Sequence, residues 1–149
     1  MKASCENIVL KIPAQAEYIE IVRLTLYGVA ARMNYSYEDI EDMKVAVSEA
    51  CNNSVLHAYS GDKEGSVEVR FEIRKEGLSI VVRDEGSSFD YNKTKSNVSS
   101  LHNKSLNDIE AGGLGIYMMQ ALMDVVQVNN DFGTEVTLTK LLNRSESTA

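Results

Sequence analysis

The amino-acid sequence predicts an α+β two-layer sandwich, with a sheet on one side and helices on the other. Short segments alternate apolar and polar side chains, which is typical of strands that have one buried face. Longer segments carry apolar residues at the spacing of a single helix face. Because most of the strands follow one another as hairpins, we expect a mixed, mostly antiparallel sheet with the helices packed on one face.

Five strands are predicted from the alternation of side chains. The first is closed by Pro13, the only proline of the chain, and Glu76-Gly77 separates the second from the third. The turn Asp131-Phe132-Gly133 joins the last two. The predicted strands cover residues 7–12, 66–74, 78–83, 125–129 and 134–138.

Three helices are predicted from the apolar spacing. The first covers residues 14–33 and leaves Arg23 on its polar side, toward solvent or a partner. Ser36 and the acidic residues that follow it match a helix N-cap, so a long second helix begins there and continues until Gly61 stops it. A third helix is expected over residues 116–123.

The composition fits one soluble, cytoplasmic domain over residues 1–149. Fifteen basic residues against 22 acidic ones give a net charge of -7, which disfavours direct binding to nucleic acid. No apolar signal-peptide core and no run of about 18 apolar residues occurs, so we expect no membrane partner. Residues 87–111 are rich in Ser, Asn and Lys and are expected to form a flexible lid, and residues 143–149 a frayed tail.

Glu49 and Asn53 are the first candidate site residues. They are four residues apart, so on a helix their side chains point to nearly the same side, one turn apart. A solvated polar face would use the same pair. Because Val45 and Leu56 flank Glu49 along the helix, we favour a lined pocket.

Asp84 is the second candidate, since Asp84-Glu85-Gly86 directly follows the apolar strand segment Ile80-Val81-Val82. A carboxylate at a strand end accepts a charge-assisted hydrogen bond from an exocyclic amine such as that of adenine. Gly86 lets a flat ring approach the backbone. A β-turn of the form Asp-x-Gly is the structural alternative.

The third candidate is the glycine turn Gly112-Gly113-Leu114-Gly115, ahead of the third helix. Glycines there expose successive backbone N–H groups to phosphates at the positive end of the helix. A lid hinge, or a turn with positive φ, would use the same glycines. The phosphate-binding pattern G-x-x-x-x-G-K-[ST] is absent, and Met118 stands where a dinucleotide fingerprint needs its third glycine.

Taken in this order, the three candidates resemble the GHKL (Bergerat) ATPase superfamily of DNA gyrase, the MutL repair protein and bacterial histidine kinases. The segments VSEACNNSVLHAY, VVRDEG, GGLGIYMM and GTEVTLTK resemble more closely the bacterial anti-sigma serine-protein kinases, particularly those of the anti-sigma-B type. This likeness runs from about residue 12 to residue 141. The Ser/Asn-rich segment at 92–107 is its least family-like part.

The resemblance implies a role for each candidate residue. Glu49 would be the general base, Asn53 would coordinate Mg²⁺ beside ATP, and Asp84 would contact adenine. Arg23 matches a partner-contacting arginine of the family, although a solvated surface charge is the alternative. The resemblance also implies a nucleotide site lined by Gly86, Gly112, Gly113, Leu114, Gly115 and Thr134.

The resemblance further implies the partners and the activity. A sigma factor would be kept from RNA polymerase, an anti-anti-sigma protein would be phosphorylated on serine, and the protein would be a homodimer. One alternative is a module that binds nucleotide and sigma factor without transferring phosphate, for which a glutamate at position 49 would be unnecessary. Another is the detached ATPase domain of a histidine kinase, but no helix with a phosphoacceptor histidine fits before the first strand.

Overall fold

The computed structural model describes residues 5–58, 65–84, 111–130 and 133–142. Within these residues the α-helices are α1 (Ile19–Arg32), α2 (Tyr37–Asn53) and α3 (Ala111–Leu122). The strands are β1 (Glu6–Pro13), β2 (Ser66–Ile73), β3 (Gly77–Asp84), β4 (Val125–Asn129) and β5 (Thr134–Leu141). The predicted lid, apart from Ala111, and the predicted tail lie outside the described residues.

The five strands form one sheet in the order β1-β2-β3-β5-β4. Every neighbouring pair among them is antiparallel, so the described sheet has none of the parallel pairing that a mixed sheet would contain. Because β5 lies between β3 and β4, β3 becomes the central strand, and consecutive residues Ile80, Val81 and Val82 are all buried. The predicted α+β sandwich is confirmed.

The helices form the second layer, with α2 packed between α1 and α3 and also in contact with β3 and β5. The core fills the space between this layer and the inner face of the sheet. The apolar spacing that predicts α1 and α2 records their buried faces, which in α2 comprise Ile40, Met43, Val47, Ala50 and Ser54. The buried residues of α1 are Ile19, Val22, Leu26, Val29 and Ala30.

The start of α2 is fixed by the predicted cap. Ser36 has an extended backbone, and its hydroxyl accepts a hydrogen bond from the backbone N–H of Asp39 at 3.1 Å. Just before it, the Tyr35 hydroxyl donates to the carbonyl of Lys140 and accepts from the N–H of Leu78 at 2.8 Å. The N-terminal end of α2 is therefore attached to the end of the sheet at which β3 begins and β5 finishes.

Three helix boundaries differ from the prediction. The second helix, predicted to continue until Gly61, ends as an α-helix at Asn53 and is followed by the π-helical turn Ser54–Ala58, while Gly61 lies outside the described residues. The first helix begins at Ile19 rather than at residue 14, because the N–H of Ala14 bonds to the carbonyl of Gly65 at 2.9 Å and Gln15 is extended. The third begins at Ala111, five residues earlier than predicted. None of the helices in the described ranges is both long enough and apolar enough to cross a membrane.

Candidate active site

The length of α2 carries Glu49 and Asn53 across the sheet. A helix of 17 residues is about 25 Å long, close to the length of the eight-residue strand β3. Since α2 begins where β3 begins, its last turn lies near the end of β3 that carries Asp84. The π-helical turn Ser54–Ala58, which follows α2 directly, also contacts β3.

Gly115 brings α3 against the two candidate side chains of α2. A Cβ built on Gly115 would lie 2.9 Å from Oε2 of Glu49, 3.5 Å from Nδ2 of Asn53 and 3.7 Å from Oδ1 of Asn53. The absence of a side chain at Gly115 therefore leaves room for the Glu49 carboxylate in its present position. Three residues predicted from two separate parts of the sequence meet at one place.

The wall beside Glu49 is different from the predicted one. Val45 and Leu56 are 38% and 60% exposed, so they do not enclose the carboxylate. Glu49 itself is half-buried. The neighbouring wall comes from α3, which packs along α2 and places Gly115 next to the Glu49 carboxylate.

Asn53 has an unused polar atom at this site. The residue is 4% exposed, and within the described part of the chain its buried Nδ2 has no hydrogen-bond partner. Such an atom costs about 1–3 kcal/mol unless a ligand or water pairs with it. Because the nitrogen and oxygen of an asparagine amide exchange places by a half-turn, the same position can present Oδ1 to a cation. Amide and carboxylate oxygens suit Mg²⁺, so Asn53 beside Glu49 fits this metal.

Asp84 and Thr134 stand side by side at the end of the sheet. They are directly opposed on β3 and β5, and both are buried, Asp84 being 2% exposed. Burial of a carboxylate at the last position of a strand is not the usual state of a turn residue. That these two residues form one end of a binding site stays a prediction.

The glycine segment occupies a different position from the predicted one. Gly112, Gly113 and Leu114 lie within the first turn of α3 instead of forming a turn ahead of it. The first four N–H groups of an α-helix have no acceptor within the helix, so donors in this turn pair only with groups from outside it. The position of the glycines ahead of the helix was predicted wrongly, and their role toward a phosphate stays a prediction. Gly86 lies outside the described residues.

Arg23 is not the solvated surface charge that its position in the sequence suggested. Its side chain is 35% exposed, and its guanidinium lies between α1 and α2. Nε and Nη2 donate to Oε1 of Glu20 at 3.0 and 2.8 Å, and Nη1 donates to Oγ of Ser48 at 2.8 Å. Sequence reasoning missed Ser48, because no pattern relates it to an arginine 25 residues earlier.

A separate cleft opens beside the end of the sheet. It is lined by Lys11, Ser66, Glu68, Arg83 and Asp84. Of the predicted site residues it contains only Asp84, and neither Glu49 nor Asn53 reaches it. We therefore place the carboxylate, amide and glycine part of the candidate site at the contact of α2 with α3, apart from the end of the sheet that carries Asp84.

Known proteins are similar to this chain in sequence and in fold. Residues 12–140 match the histidine kinase-like ATPase domain family. The chain is 47% identical to the serine-protein kinase RsbW of Bacillus subtilis (strain 168) over 96% of its own length and 90% of that protein. It is 49% identical to the serine-protein kinase RsbW of Bacillus licheniformis, over 97% of its length and 91% of that protein.

A solved structure is also similar to this chain in fold. It contains the RsbU and RsbW domains of Rv1364c from Mycobacterium tuberculosis, and it matches with a TM-score of 0.65 and 22% identity. The match covers 91% of this chain and 32% of that chain. At this identity the likeness concerns the fold alone, and it agrees with the helix layer and antiparallel sheet described above.

Proposed function

Because this chain belongs to the histidine kinase-like ATPase family and, within it, to the serine-protein kinases RsbW, we propose that it phosphorylates a serine of an anti-anti-sigma protein. We propose equally that it binds a sigma factor of the sigma-B type and keeps it from RNA polymerase. The observation that carries the enzymatic part is the contact of Glu49 and Asn53 with Gly115.

Glu49 is the proposed general base. In the reaction the hydroxyl oxygen of the substrate serine bonds to the γ-phosphorus of ATP, the bond to the β-γ bridging oxygen breaks, and ADP leaves. The carboxylate of Glu49 accepts the hydroxyl proton as the new bond forms. Its half-buried position on α2, next to Gly115 of α3, supports this role, because phosphoryl transfer depends mostly on positioning.

Asn53 is the residue that would hold Mg²⁺ through its amide oxygen. When bound, this metal neutralises charge on the phosphates of ATP. The buried Asn53 amide contributes a single neutral ligand, which suits an ion that keeps several waters and phosphate oxygens. The backbone donors of Gly112, Gly113 and Leu114 in the first turn of α3 would face the phosphates at the positive end of the helix.

Asp84 and Thr134 form the proposed adenine end. The Asp84 carboxylate accepts a hydrogen bond from the exocyclic amine of the base, and the buried Thr134 beside it supports that end of the pocket. Gly86 completes this part of the site in our proposal. Asp84 is held by the sheet while Glu49 is held by the helix layer, so the two ends of ATP would contact different layers of the fold.

The proposed protein partners meet α1. Arg23 is partly exposed on this helix, next to the exposed apolar side chains of Leu24 and Tyr27. A guanidinium beside apolar surface suits a partner that offers a carboxylate within a hydrophobic patch. We also propose that the protein acts as a cytoplasmic homodimer, as the family resemblance implies.

Phosphotransfer with a matched variant tests this function. Purified protein is incubated with labelled ATP, Mg²⁺ and a candidate anti-anti-sigma protein, and the Glu49→Gln variant is treated in parallel. We expect phosphoserine only with the wild-type protein, while both proteins bind ATP, because the amide keeps the shape of the side chain and removes the base. Equal transfer by the variant would exclude Glu49. Sigma-factor binding without transfer by the wild type would identify a non-catalytic binding module instead.

A further inference from the structure

A chain of hydrogen bonds joins the exposed side of α1 to the turn of α2 that carries Glu49. It runs from the Glu20 carboxylate to the Arg23 guanidinium and from there to the Ser48 hydroxyl. The Ser48 hydroxyl in turn donates to the carbonyl of Lys44 at 2.6 Å. Ser48 is the residue directly before Glu49, and it is buried.

The direction of these bonds fixes the role of each group. Arginine only donates, so Ser48 Oγ must accept from Arg23 while its own proton goes to Lys44. The single O–H donor of Ser48 and one of its two acceptor lone pairs are thus used inside the protein. An alanine at position 48 would leave the inner N–H of Arg23 without its acceptor, and nothing else in this turn of α2 would attach it to Arg23.

Arg23 keeps donors for a partner while it holds Ser48. A guanidinium has five N–H groups, and within the described part of the chain three of them are used by Glu20 and Ser48. A carboxylate of a docked protein can therefore bind the remaining donors without displacing the Ser48 hydroxyl. Partner contact and internal contact are made by the same rigid, planar group.

We propose that Ser48 is a positioning residue, which through Arg23 keeps a protein docked on α1 in register with the general base Glu49 on α2. The proposal rests on the proposed kinase function and on docking at Arg23. Ser48 touches neither ATP nor the substrate serine in this scheme. Its hydroxyl fixes the spacing between the docking surface and the base, so its loss lowers the rate of transfer within the complex and leaves complex formation unchanged.

Steady-state kinetics of the full-length protein with its anti-anti-sigma substrate test the proposal. For Ser48→Ala we expect kcat to fall roughly tenfold, as for loss of one hydrogen bond to a charged group. The KM for the protein substrate and the Kd for ATP should stay within about twofold of the wild type, since neither contact is lost. Ser48→Thr retains the hydroxyl and should restore most of kcat.

Two further variants separate positioning from general stability. Ser79→Ala removes another buried hydroxyl, which bonds to Thr139 on the sheet at 2.8 Å, and should lower the Tm without lowering kcat. In an Arg23→Met background, Ser48→Ala should have no further effect on kcat, because the group through which it acts is missing.

The outcomes distinguish a failure of the proposed kinase function from a failure of the positioning role of Ser48. Absence of phosphotransfer by the wild-type protein would overturn the kinase function and this proposal together. With an active wild type, an unchanged kcat for Ser48→Ala, or a change in KM alone, would overturn the positioning role and leave the kinase function standing. Equal losses with and without the Arg23 guanidinium would also overturn it.

Discussion

Gly115 of α3 lies so close to Glu49 of α2 that a Cβ at this position would be 2.9 Å from Glu49 Oε2. For Gly115→Ala the new methyl group must displace the carboxylate, which is the far end of a flexible side chain. The helix itself gains, since alanine is favoured over glycine by about 1 kcal/mol in a helix interior. We therefore expect a fold at least as stable as the wild type, with ATP binding retained and phosphotransfer reduced about tenfold or more. Thermal denaturation and a phosphotransfer assay measure the two effects.

Gly28 supplies the matched control for this substitution. It also lies within a helix, but a Cβ there would have no atom within 4 Å among the described residues. Gly28→Ala should raise stability by a similar amount and leave the rate of ATP-dependent transfer unchanged. If Gly115→Ala transferred phosphate as fast as Gly28→Ala, the position of Glu49 would not limit the reaction.

Asp84→Asn should abolish or strongly weaken ATP binding. The amide is a weaker acceptor than the carboxylate, and it can turn its own donor toward the adenine amine. Titration calorimetry with ATP and with GTP measures the effect. GTP carries an acceptor where ATP has the amine, so we expect the variant to lose its preference for ATP. If the variant kept the wild-type affinity for ATP and the wild-type preference for ATP over GTP, Asp84 would have only a structural role at the end of β3.

Asn53→Ala should remove the dependence of nucleotide binding on magnesium. The wild-type protein should bind ATP more tightly with Mg²⁺ than with EDTA, because the ion joins Asn53 to the phosphates. The variant should bind ATP about equally in both conditions. Since Nδ2 of Asn53 is buried without a partner among the described residues, the variant should also fold without a large loss of stability. A full magnesium effect in the variant would assign the metal to other residues.

Much of the fold could be predicted from the sequence because its signals are local. The alternation in β2 and the spacing of Ile19, Val22 and Leu26 in α1 record burial directly, and Ser36 marks the start of α2 by its own chemistry. The start of α3 was predicted wrongly because three glycines in four residues have a low helix propensity. Packing against α2 nevertheless favours a helix in this segment.

The site could be predicted only in part. Glu49 and Asn53 share a helix face through their spacing, but their contact with Gly115 joins positions 66 residues apart, and only the resemblance placed the three in one pocket. The bond from Arg23 to Ser48 depends on how α1 and α2 pack against each other. The sequence of either helix taken alone does not predict that packing. Such pairings follow from the tertiary structure, so the sequence suggested an exposed arginine where the protein has a half-buried one.

Cys51→Ala should reduce the loss of stability at alkaline pH. Burial raises the pKa of Cys51 to about 12 in the folded protein, although the positive charge of Arg23 lowers this pKa in part. The pKa of the thiol in the unfolded chain is the ordinary value of 9.0, so stability is intact below that pH and is lost as pH rises toward about 12. Burial likewise raises the pKa of Tyr35 to about 12, and this contribution is common to both proteins.

Chemical denaturation at pH 8 and pH 10.5 measures the difference. The wild type should lose about 2 kcal/mol more than Cys51→Ala over this interval, at roughly 1.4 kcal/mol per pH unit above the pKa of the unfolded thiol. Cys5→Ala is the control, because Cys5 is exposed. An equal pH dependence of the wild type and Cys51→Ala would mean that the thiol ionises alike in the folded and unfolded chains.

Arg23→Glu should weaken binding of both the sigma factor and the anti-anti-sigma protein. The substitution replaces the guanidinium offered to an acidic partner and places a second carboxylate beside Glu20. It also removes the bond to Ser48, so we expect the free energy of unfolding to fall by about 1–3 kcal/mol, more than for an ordinary surface charge. Arg32→Glu makes the same change of charge at an exposed position on the same helix and serves as the control. Binding of each partner is measured below the onset of unfolding, together with an ATP titration that should be unchanged. If Arg23→Glu and Arg32→Glu bound both partners equally well, Arg23 would serve only to join α1 to α2, and the docking surface would lie elsewhere.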